Sequence, residues 1–405
     1  MSFIPGEVWH RNDLQMDATG KLRVSNHSII FEDISEYSKN LDKWNEKVVN
    51  GASITLNQNN SGITLNTSTT LSSKAIRQTK QYFKKQVGNS LMVGFSLNFN
   101  GNQTDIKKSA GYYDNNNGVY LKLQNGVFSL NLRSKSSGSI IEENITQANF
   151  NIDKLDGTGE SGLTLDLTKI YYFFFDFNCF CTGKIRCYIA TANGQVLFHQ
   201  FDKFELSNTF LGTLTLPIRY EIEQLGVTNI GTMTHFTSFL AVENNVNLDH
   251  DLNTISLGRT TRTIATTISH ILSIRPKLIY QGKENRANIL PSQMNHYVDS
   301  SGKAVLVEIW VGGTVTGGAW TEISAESATE YNITATAFNT TNASKIYSEY
   351  IPVNSGGATV TESLQKAFLS LNIDGDAADT MTIVGYNLGT GSTGIYSAMA
   401  IKEYH

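Results

Sequence analysis

Glu221 and Glu223 are the residues whose types and spacing come closest to catalytic chemistry. They lie two residues apart in an alternating stretch, 219–223, so a strand would present both carboxylates on one face. Two such carboxylates can serve as the acid and the nucleophile of a glycoside hydrolase. The same pattern arises when acids pair with neighbouring lysines or arginines, and we favour this reading. The sequence therefore predicts a salt-bridged strand face and no catalytic residue.

The histidines do not form a recognisable metal site. Eight of them are scattered along the chain, without an HExxH motif or a pair at metal-binding spacing. His250 stands between Asp249 and Asp251, but strand alternation would place both acids on the face opposite the imidazole. We expect a solvated turn at this cluster and no metal ligand.

Two further acidic stretches could in principle hold a cation. Residues 374–379 begin like a calcium-binding loop, but an acid occupies the position where an EF-hand needs glycine, and no glutamate stands at position 12. Residues 153–159 bring two carboxylates and a hydroxyl together, although Asp-Gly and Thr-Gly are also ordinary turn pairs. The sequence predicts polar turns at both places.

The remaining candidates for chemistry are thiols and aromatic rings. Cys179, Cys181 and Cys187 are too few for a disulfide framework, and we expect buried thiols in a reducing compartment. No nucleophile-elbow or phosphate-loop motif is present, so no cofactor is expected. Several aromatic residues could stack on sugars, although packing is their commoner role. They are Trp44, Tyr112, Tyr113, Trp310 and Trp320.

Composition excludes several classes of protein. The chain has 405 residues and a formal net charge of −4, without the basic stripe of a nucleic-acid-binding protein. With 40% hydrophobic residues it is too apolar to be disordered as a whole. Its most apolar run, 171–175, is far shorter than a bilayer span, so no membrane insertion is expected. No secretory signal pattern opens the chain, and we expect synthesis and folding in a cytoplasm.

The elements that must position these residues are short strands. Apolar and polar residues alternate repeatedly over residues 29–240, and the dipeptides Asn125-Gly126 and Asn193-Gly194 separate alternating runs, as in hairpins. The run 171–177 is typical of a central strand that is covered on both faces. This pattern predicts an all-β fold, an antiparallel β-sandwich of jelly-roll type, with an up-and-down barrel as the alternative.

The chain divides into four predicted regions, of which the sandwich at 29–240 is the largest. Residues 1–28 lack a periodic apolar face and are expected to form an N-terminal anchoring arm. The Thr-rich residues 241–275 are expected to form a connector or a long strand. Strands resume over 276–405, which predicts a second, smaller β domain. Residues 361–369 form the best helix candidate, with Thr361 as its N-cap.

Several segments resemble a family of virion proteins of tailed bacteriophages, usually described only as structural. The most specific is 153–169, DKLDGTGESGLTLDLTK, which continues into the phenylalanine-rich run. The resemblance covers roughly residues 20–225 and departs from the family pattern at 86–90 and at the first two cysteines. The segments that carry it are 20–25, 30–33 with Trp44, 76–83, 153–169, 173–177, 183–186 and 216–223.

The resemblance implies a structural protein of the virion, assembled in the host cytoplasm. Its place would be a capsid decoration, a head fibre, or a collar or tail accessory. The implied partners are other virion proteins, of the capsid, portal, collar or tail, and further copies of the chain, with a homotrimer as the first expectation. The resemblance transfers no catalytic residue. The alternative is a carbohydrate-binding adsorption module that contacts host surface glycans, and a glycan-degrading enzyme is the third hypothesis.

Overall fold

The structure of the protein is a computed structural model. It describes residues 27–85, 89–179, 182–192, 194–227, 229–243, 251–299, 303–352, 356–359 and 367–404. In these ranges the secondary structure consists of 28 strands and one short 3-10 helix, Gln147–Asn149. Among them there is no helix of the length and apolar character that a membrane span requires. The predicted arm at 1–28, apart from its last two residues, lies outside the described residues, as do 361–366 of the helix candidate.

The described residues divide into two compact units. The first comprises the residues up to Thr79 and those from Phe83 to the end of the fifteenth strand, and the second comprises Lys80–Tyr82 and the residues from the sixteenth strand onward. The strands of the first unit are β1 (His27–Ile34), β2 (Trp44–Val49), β3 (Ser53–Asn57), β4 (Gly62–Asn66), β5 (Lys74–Thr79), β6 (Leu91–Asn98), β7 (Ile106–Tyr113), β8 (Gly118–Gln124), β9 (Val127–Ser134), β10 (Ile141–Thr146), β11 (Ile170–Cys179), β12 (Gly183–Thr191), β13 (Gly194–Lys203), β14 (Ile218–Gln224) and β15 (Thr232–Glu243).

Two antiparallel sheets form the first unit. The strand order of the first sheet is β13-β12-β11-β6-β15-β4-β3, and β1 also pairs with β15. The order of the second sheet is β10-β9-β8-β7-β14-β5-β2. The inward side chains of both sheets belong to one hydrophobic core. The unit is therefore an antiparallel β-sandwich of jelly-roll type, and the predicted fold class is confirmed.

The phenylalanine-rich run forms β11, which lies between β12 and β6. Phe173, Phe175 and Phe177 point into the core and are fully buried. Phe174 points to the outer face and is still only 6% exposed. The strand is thus covered on both faces, as the unbroken apolar run predicted.

The predicted Asn-Gly hairpin joins β8 to β9. Asn125 and Gly126 have φ values of 50° and 80°, and the flanking residues Gln124 and Val127 pair directly. Positive φ at both turn positions matches the right-handed twist of the strands, which is why this dipeptide favours hairpins. The second predicted hairpin also forms, because Thr191 of β12 pairs with Gly194 of β13, although Asn193 itself lies outside the described residues.

A buried charge organises one end of this sandwich. Arg77 on β5 is fully buried, and its guanidinium donates to a Glu46 carboxylate oxygen at 2.6 Å and to the Lys39 carbonyl oxygen at 2.6 Å. It also lies over the Trp44 ring, 4.6 Å from the ring centroid. The Trp44 indole N–H donates in turn to Asp33 at 2.8 Å. These contacts fix the loop between β1 and β2 against the core.

The second unit is a smaller all-β sandwich. Its strands are β16 (Asp251–Ser256), β17 (Arg262–Ile264), β18 (Ser269–Pro276), β19 (Ile279–Tyr280), β20 (Lys283–Glu284), β21 (Asn288–Val298), β22 (Val305–Thr316), β23 (Thr321–Glu322), β24 (Thr329–Asn332), β25 (Ala337–Ile351), β26 (Gly356–Thr359), β27 (Met381–Asn387) and β28 (Thr393–Tyr404). One sheet has the order β16-β28-β21-β26, with β17 also paired with β28. The other has the order β23-β24-β18-β27-β22-β25, and the two sheets share one core.

The predicted connector at 241–275 is wrong for most of its length. Residues 241–243 end β15 of the first unit, while β16, β17 and most of β18 are strands of the second. Ile255, Ile264 and Ile271 are buried in the core of that second unit. The sequence showed few apolar anchors here because β16 and β17 each bury a single isoleucine, while threonine, which favours strands, fills many of the other positions.

Gly118 at the start of β8 gives a test of the sandwich geometry. Its φ is +132°, and a Cβ there would lie 2.3 Å from the Tyr112 carbonyl oxygen. We expect Gly118→Ala to lower the unfolding free energy of the first unit by about 3 kcal/mol or more, because the clash is with backbone. The matched control, Gly138→Ala, has positive φ but open space and should cost about 1 kcal/mol. Urea denaturation measures both, and equal losses would contradict the close backbone contact at Gly118.

Candidate functional site

The predicted acid pair lies on the outer face of the second sheet of the first unit. Glu221 and Glu223 belong to β14, which pairs with β7 on one side and β5 on the other. Ile218, Tyr220 and Ile222 of the same strand point into the core, so alternation directs the acids outward. The sequence prediction that the two carboxylates share one strand face is confirmed.

Both carboxylates are bound by cations of neighbouring strands. Glu221 forms ion pairs with Arg219 at 2.6 Å, with Lys74 at 2.9 Å and with Lys107 at 3.9 Å. Glu223 pairs with the same two lysines, most closely with Lys107. The face is therefore salt-bridged, as predicted.

This network determines what Glu221 can do. Burial by itself would raise the pKa of Glu221, but the attraction of Arg219, Lys74 and Lys107 outweighs it and lowers the pKa to about 2. A general acid must carry a proton near neutral pH. Glu221 is ionised there, so the proton-donating half of a glycosidase pair is not available from this residue.

Three of the aromatic side chains singled out from the sequence are buried in packing. Trp44 and Tyr112 lie in the core, each about 1% exposed. Tyr113 faces the outer side, where it stacks on Tyr120 with ring centroids 4.4 Å apart, and the Arg219 guanidinium lies 5.4 Å from its centroid. Tyr113 and Tyr120 are at most 2% exposed. None of these rings can stack on a sugar in this arrangement.

Trp310 and Trp320, the other two aromatic candidates, belong to the second unit and are partly exposed. The Trp310 indole N–H donates to Glu308 at 3.1 Å, and the Trp320 ring is covered by the Arg275 guanidinium, 4.0 Å from its centroid. Side chains of the chain itself thus already engage both rings, which supports the packing interpretation.

The acidic stretches form turns, as predicted. Asp153 is buried, and its two carboxylate oxygens accept the backbone N–H groups of Leu155 and Ser161. Asn372 organises the turn at 374–379 by accepting the backbone N–H of Asp376. Within the described ranges, no three His, Cys, Asp or Glu side chains are grouped so that they could hold a metal ion.

Only some of the cysteine and histidine candidates lie within the described residues. Cys187 is a buried free thiol, and burial followed by the charge of Asp176 raises its pKa. Cys181 and the side chain of Cys179 lie outside the described residues. His250 and its neighbour Asp249 also lie outside, so the predicted solvated turn stays a prediction.

A groove on the outer face of the first sheet is a concave site that sequence reasoning missed. It has a volume of about 440 Å³ and lies in the first unit. Its walls come from three distant parts of the chain: the end of β1 with the loop that follows, Tyr172 on β11, and residues 237–239 on β15. These parts meet only because β15 pairs with both β1 and β6, and β6 pairs with β11.

Aromatic rings form one side of the groove. The Tyr172 and Phe239 centroids lie 6.0 Å apart at an interplanar angle of 34°, and Phe174 packs against both rings. Gly94 makes the arrangement possible, because a Cβ there would lie 1.9 Å from the Phe239 ring. Burial raises the pKa of Tyr172 to about 12, so its hydroxyl stays protonated at neutral pH.

Polar groups form the other side. Asp33 accepts the Asn40 side-chain amide at 2.6 Å, and the Lys43 ammonium lies 3.7 Å from the Asp33 carboxylate. Lys43 also donates to the Glu32 carbonyl oxygen at 2.9 Å. The groove therefore combines an apolar wall with fixed hydrogen-bonding groups, the usual character of a small-molecule site.

No protein-family model and no curated protein sequence matches the chain. Solved structures with a partial likeness include the carbohydrate recognition domain of Emp47p, 13% identical over 55% of this chain and 99% of that one, with a TM-score of 0.35. An endo-acting O-glycanase of the human gut microbiota is 10% identical over 53% and 99%, with a TM-score of 0.39. The receptor-binding domain of botulinum neurotoxin D is 12% identical over 58% and 58%, with a TM-score of 0.33. At these scores the likenesses carry no argument about function.

The ion-paired face yields a stability prediction. Glu221→Gln should lower the unfolding free energy by roughly 3 kcal/mol at pH 7, because Arg219 is left buried without its carboxylate. Glu223→Gln is the control and should cost less than about 1 kcal/mol, because that side chain is 21% exposed.

The same pair predicts a pH dependence of stability. The folded pKa of Glu221 lies below its ordinary value of 4.5, so its contribution is present above pH 4.5 and is lost as the pH falls toward about 2. Urea denaturation between pH 2 and pH 4.5 should show that the unfolding free energy of Glu221→Gln falls less steeply with falling pH than that of the wild type. An unchanged slope would contradict the described network.

Proposed function

We propose that the protein is a non-enzymatic structural component of a tailed-bacteriophage virion that assembles as a homo-oligomer. The observation that carries this proposal is that the charged side chains on the β14 face form ion pairs within the sheet. Glu221 pairs with Arg219 on its own strand, and both Glu221 and Glu223 pair with lysines of the adjacent strands. Such a network rigidifies a sheet and leaves Glu221 ionised, which supports a structural role for this face and not a proton-donating role for Glu221.

Several segments that resemble the virion proteins lie on strands of the first sandwich. Residues 216–223 lead into β14, 76–83 contain most of β5, and 173–177 lie in the covered strand β11. The specific segment 153–169 contains Asp153, which holds its own loop through two backbone N–H groups. Relatives that share these residues would share a rigid sandwich with variable loops, which is the arrangement expected of a repeated particle component.

Analysis of the particle tests this proposal. Quantitative mass spectrometry of purified virions of the phage that encodes the chain should find it at a fixed ratio to the major capsid protein. Light scattering of the purified chain should give a mass near three times 44.7 kDa if the homotrimer forms. Absence of the chain from purified particles would overturn the virion proposal. A dimer would overturn the trimer alone, and a monomer would overturn self-assembly as a whole.

A carbohydrate-binding adsorption function is the second candidate, and the groove beside Tyr172 favours it. Aromatic rings that face fixed polar groups suit ligands with one apolar and one hydroxylated side, as in a sugar ring. Screening the intact chain against immobilised bacterial surface polysaccharides should detect binding to at least one of them. A screen without any binding would remove this candidate and leave the structural proposal standing.

A further inference from the structure

We infer that the groove between β1 and β11 binds a neutral sugar ring and excludes acidic sugars. This inference rests on the second of the proposed functions, carbohydrate binding, and specifies its site and its ligand class. Three features of the groove carry it: the aromatic wall, the excess of carboxylates on the polar wall, and the immobilisation of that wall by the core.

The aromatic wall supplies the apolar contact. Tyr172 is partly exposed, and Phe174 and Phe239 hold its ring from the protein side. The C–H face of a pyranose can pack on such a ring, while the neutral Tyr172 hydroxyl at the edge can donate or accept a hydrogen bond. The described structure shows no hydrogen bond of that hydroxyl to another residue.

The polar wall determines the charge preference. It contains the carboxylates of Glu32 and Asp33 and one cation, Lys43. Lys43 is already engaged by Asp33 and by the Glu32 carbonyl oxygen. In the described part of the chain, the exposed Glu32 carboxylate forms no ion pair or side-chain hydrogen bond. It can therefore accept sugar hydroxyls, whereas the carboxylate of an acidic sugar would meet uncompensated negative charge.

The wall is held in place before any ligand arrives. Asp33 binds the Trp44 indole N–H and the Asn40 amide, and Trp44 lies under the buried Arg77 guanidinium. Thr237 hydrogen-bonds to Ser96 at 2.7 Å. Because Asp33 and Asn40 are already fixed, this part of the wall loses little conformational entropy on binding, which favours a small ligand such as a single sugar ring.

Tyr172→Ala tests the site itself. Affinity for a neutral polysaccharide, taken from dextran, galactan and mannan as probes, should fall roughly tenfold or more, because the stacking surface is lost. Tyr350→Ala is the matched control: Tyr350 is 69% exposed in the second unit, and affinity should not change. If the wild type binds a neutral probe and Tyr172→Ala binds it equally well, the groove is not the binding site, while carbohydrate binding by the protein stands.

Glu32→Lys tests the charge preference. Glu32 is exposed, so this change should leave the thermal midpoint unaltered. The wild type should not bind alginate or hyaluronate, and the variant should gain measurable, salt-sensitive binding to one of them. Binding of the wild type to an acidic probe as tightly as to a neutral one would overturn the preference. If the wild type binds none of the probes, neutral or acidic, both the inference and the function on which it rests are overturned.

Discussion

Burial of the Arg77 guanidinium inside the first sandwich is the constraint on which much of that unit depends. A charge removed from water must be paired and hydrogen-bonded, or the fold loses several kcal/mol. Glu46 and the Lys39 carbonyl oxygen accept hydrogen bonds from the two terminal nitrogens of the guanidinium, and the Trp44 ring lies against this group. Lys39 lies in the loop between β1 and β2, and Trp44 directly follows that loop. The burial of Arg77 therefore fixes a surface loop, and this loop forms a wall of the groove.

The two faces of the first unit handle polar residues in different ways. On the second sheet, Glu221 and Arg219 are matched so closely that little charge remains for an external ligand. On the first sheet, the loop near Asp33 leaves one carboxylate, that of Glu32, facing solvent beside an aromatic wall. The ion-paired face therefore has its charges used within the sheet, whereas the groove keeps one carboxylate that no other described side chain engages.

The sequence was sufficient for the features that depend on local alternation and turn chemistry. The hairpin at Asn125–Gly126, the covered strand β11 and the shared face of Glu221 and Glu223 follow from period-two patterning and from residues that tolerate positive φ. The groove could not be predicted in this way. Its residues come from three separate segments, and only strand pairing over long sequence distances brings Asp33 near Tyr172 and Phe239. Strands β16 and β17 escaped detection because each of them buries a single apolar residue.

The pairing of β1 with β15 also governs when the first sandwich can form. His27 pairs with Glu243, and Ile34 pairs with Thr237, so the first described strand pairs with one about two hundred residues further along the chain. Contacts of such high sequence separation slow folding, because the closure entropy is lost before the contact forms. During synthesis the ribosome must release nearly the whole unit before β1 can dock. The groove, whose wall begins at the end of β1, is therefore among the last parts of the nascent chain to become ordered.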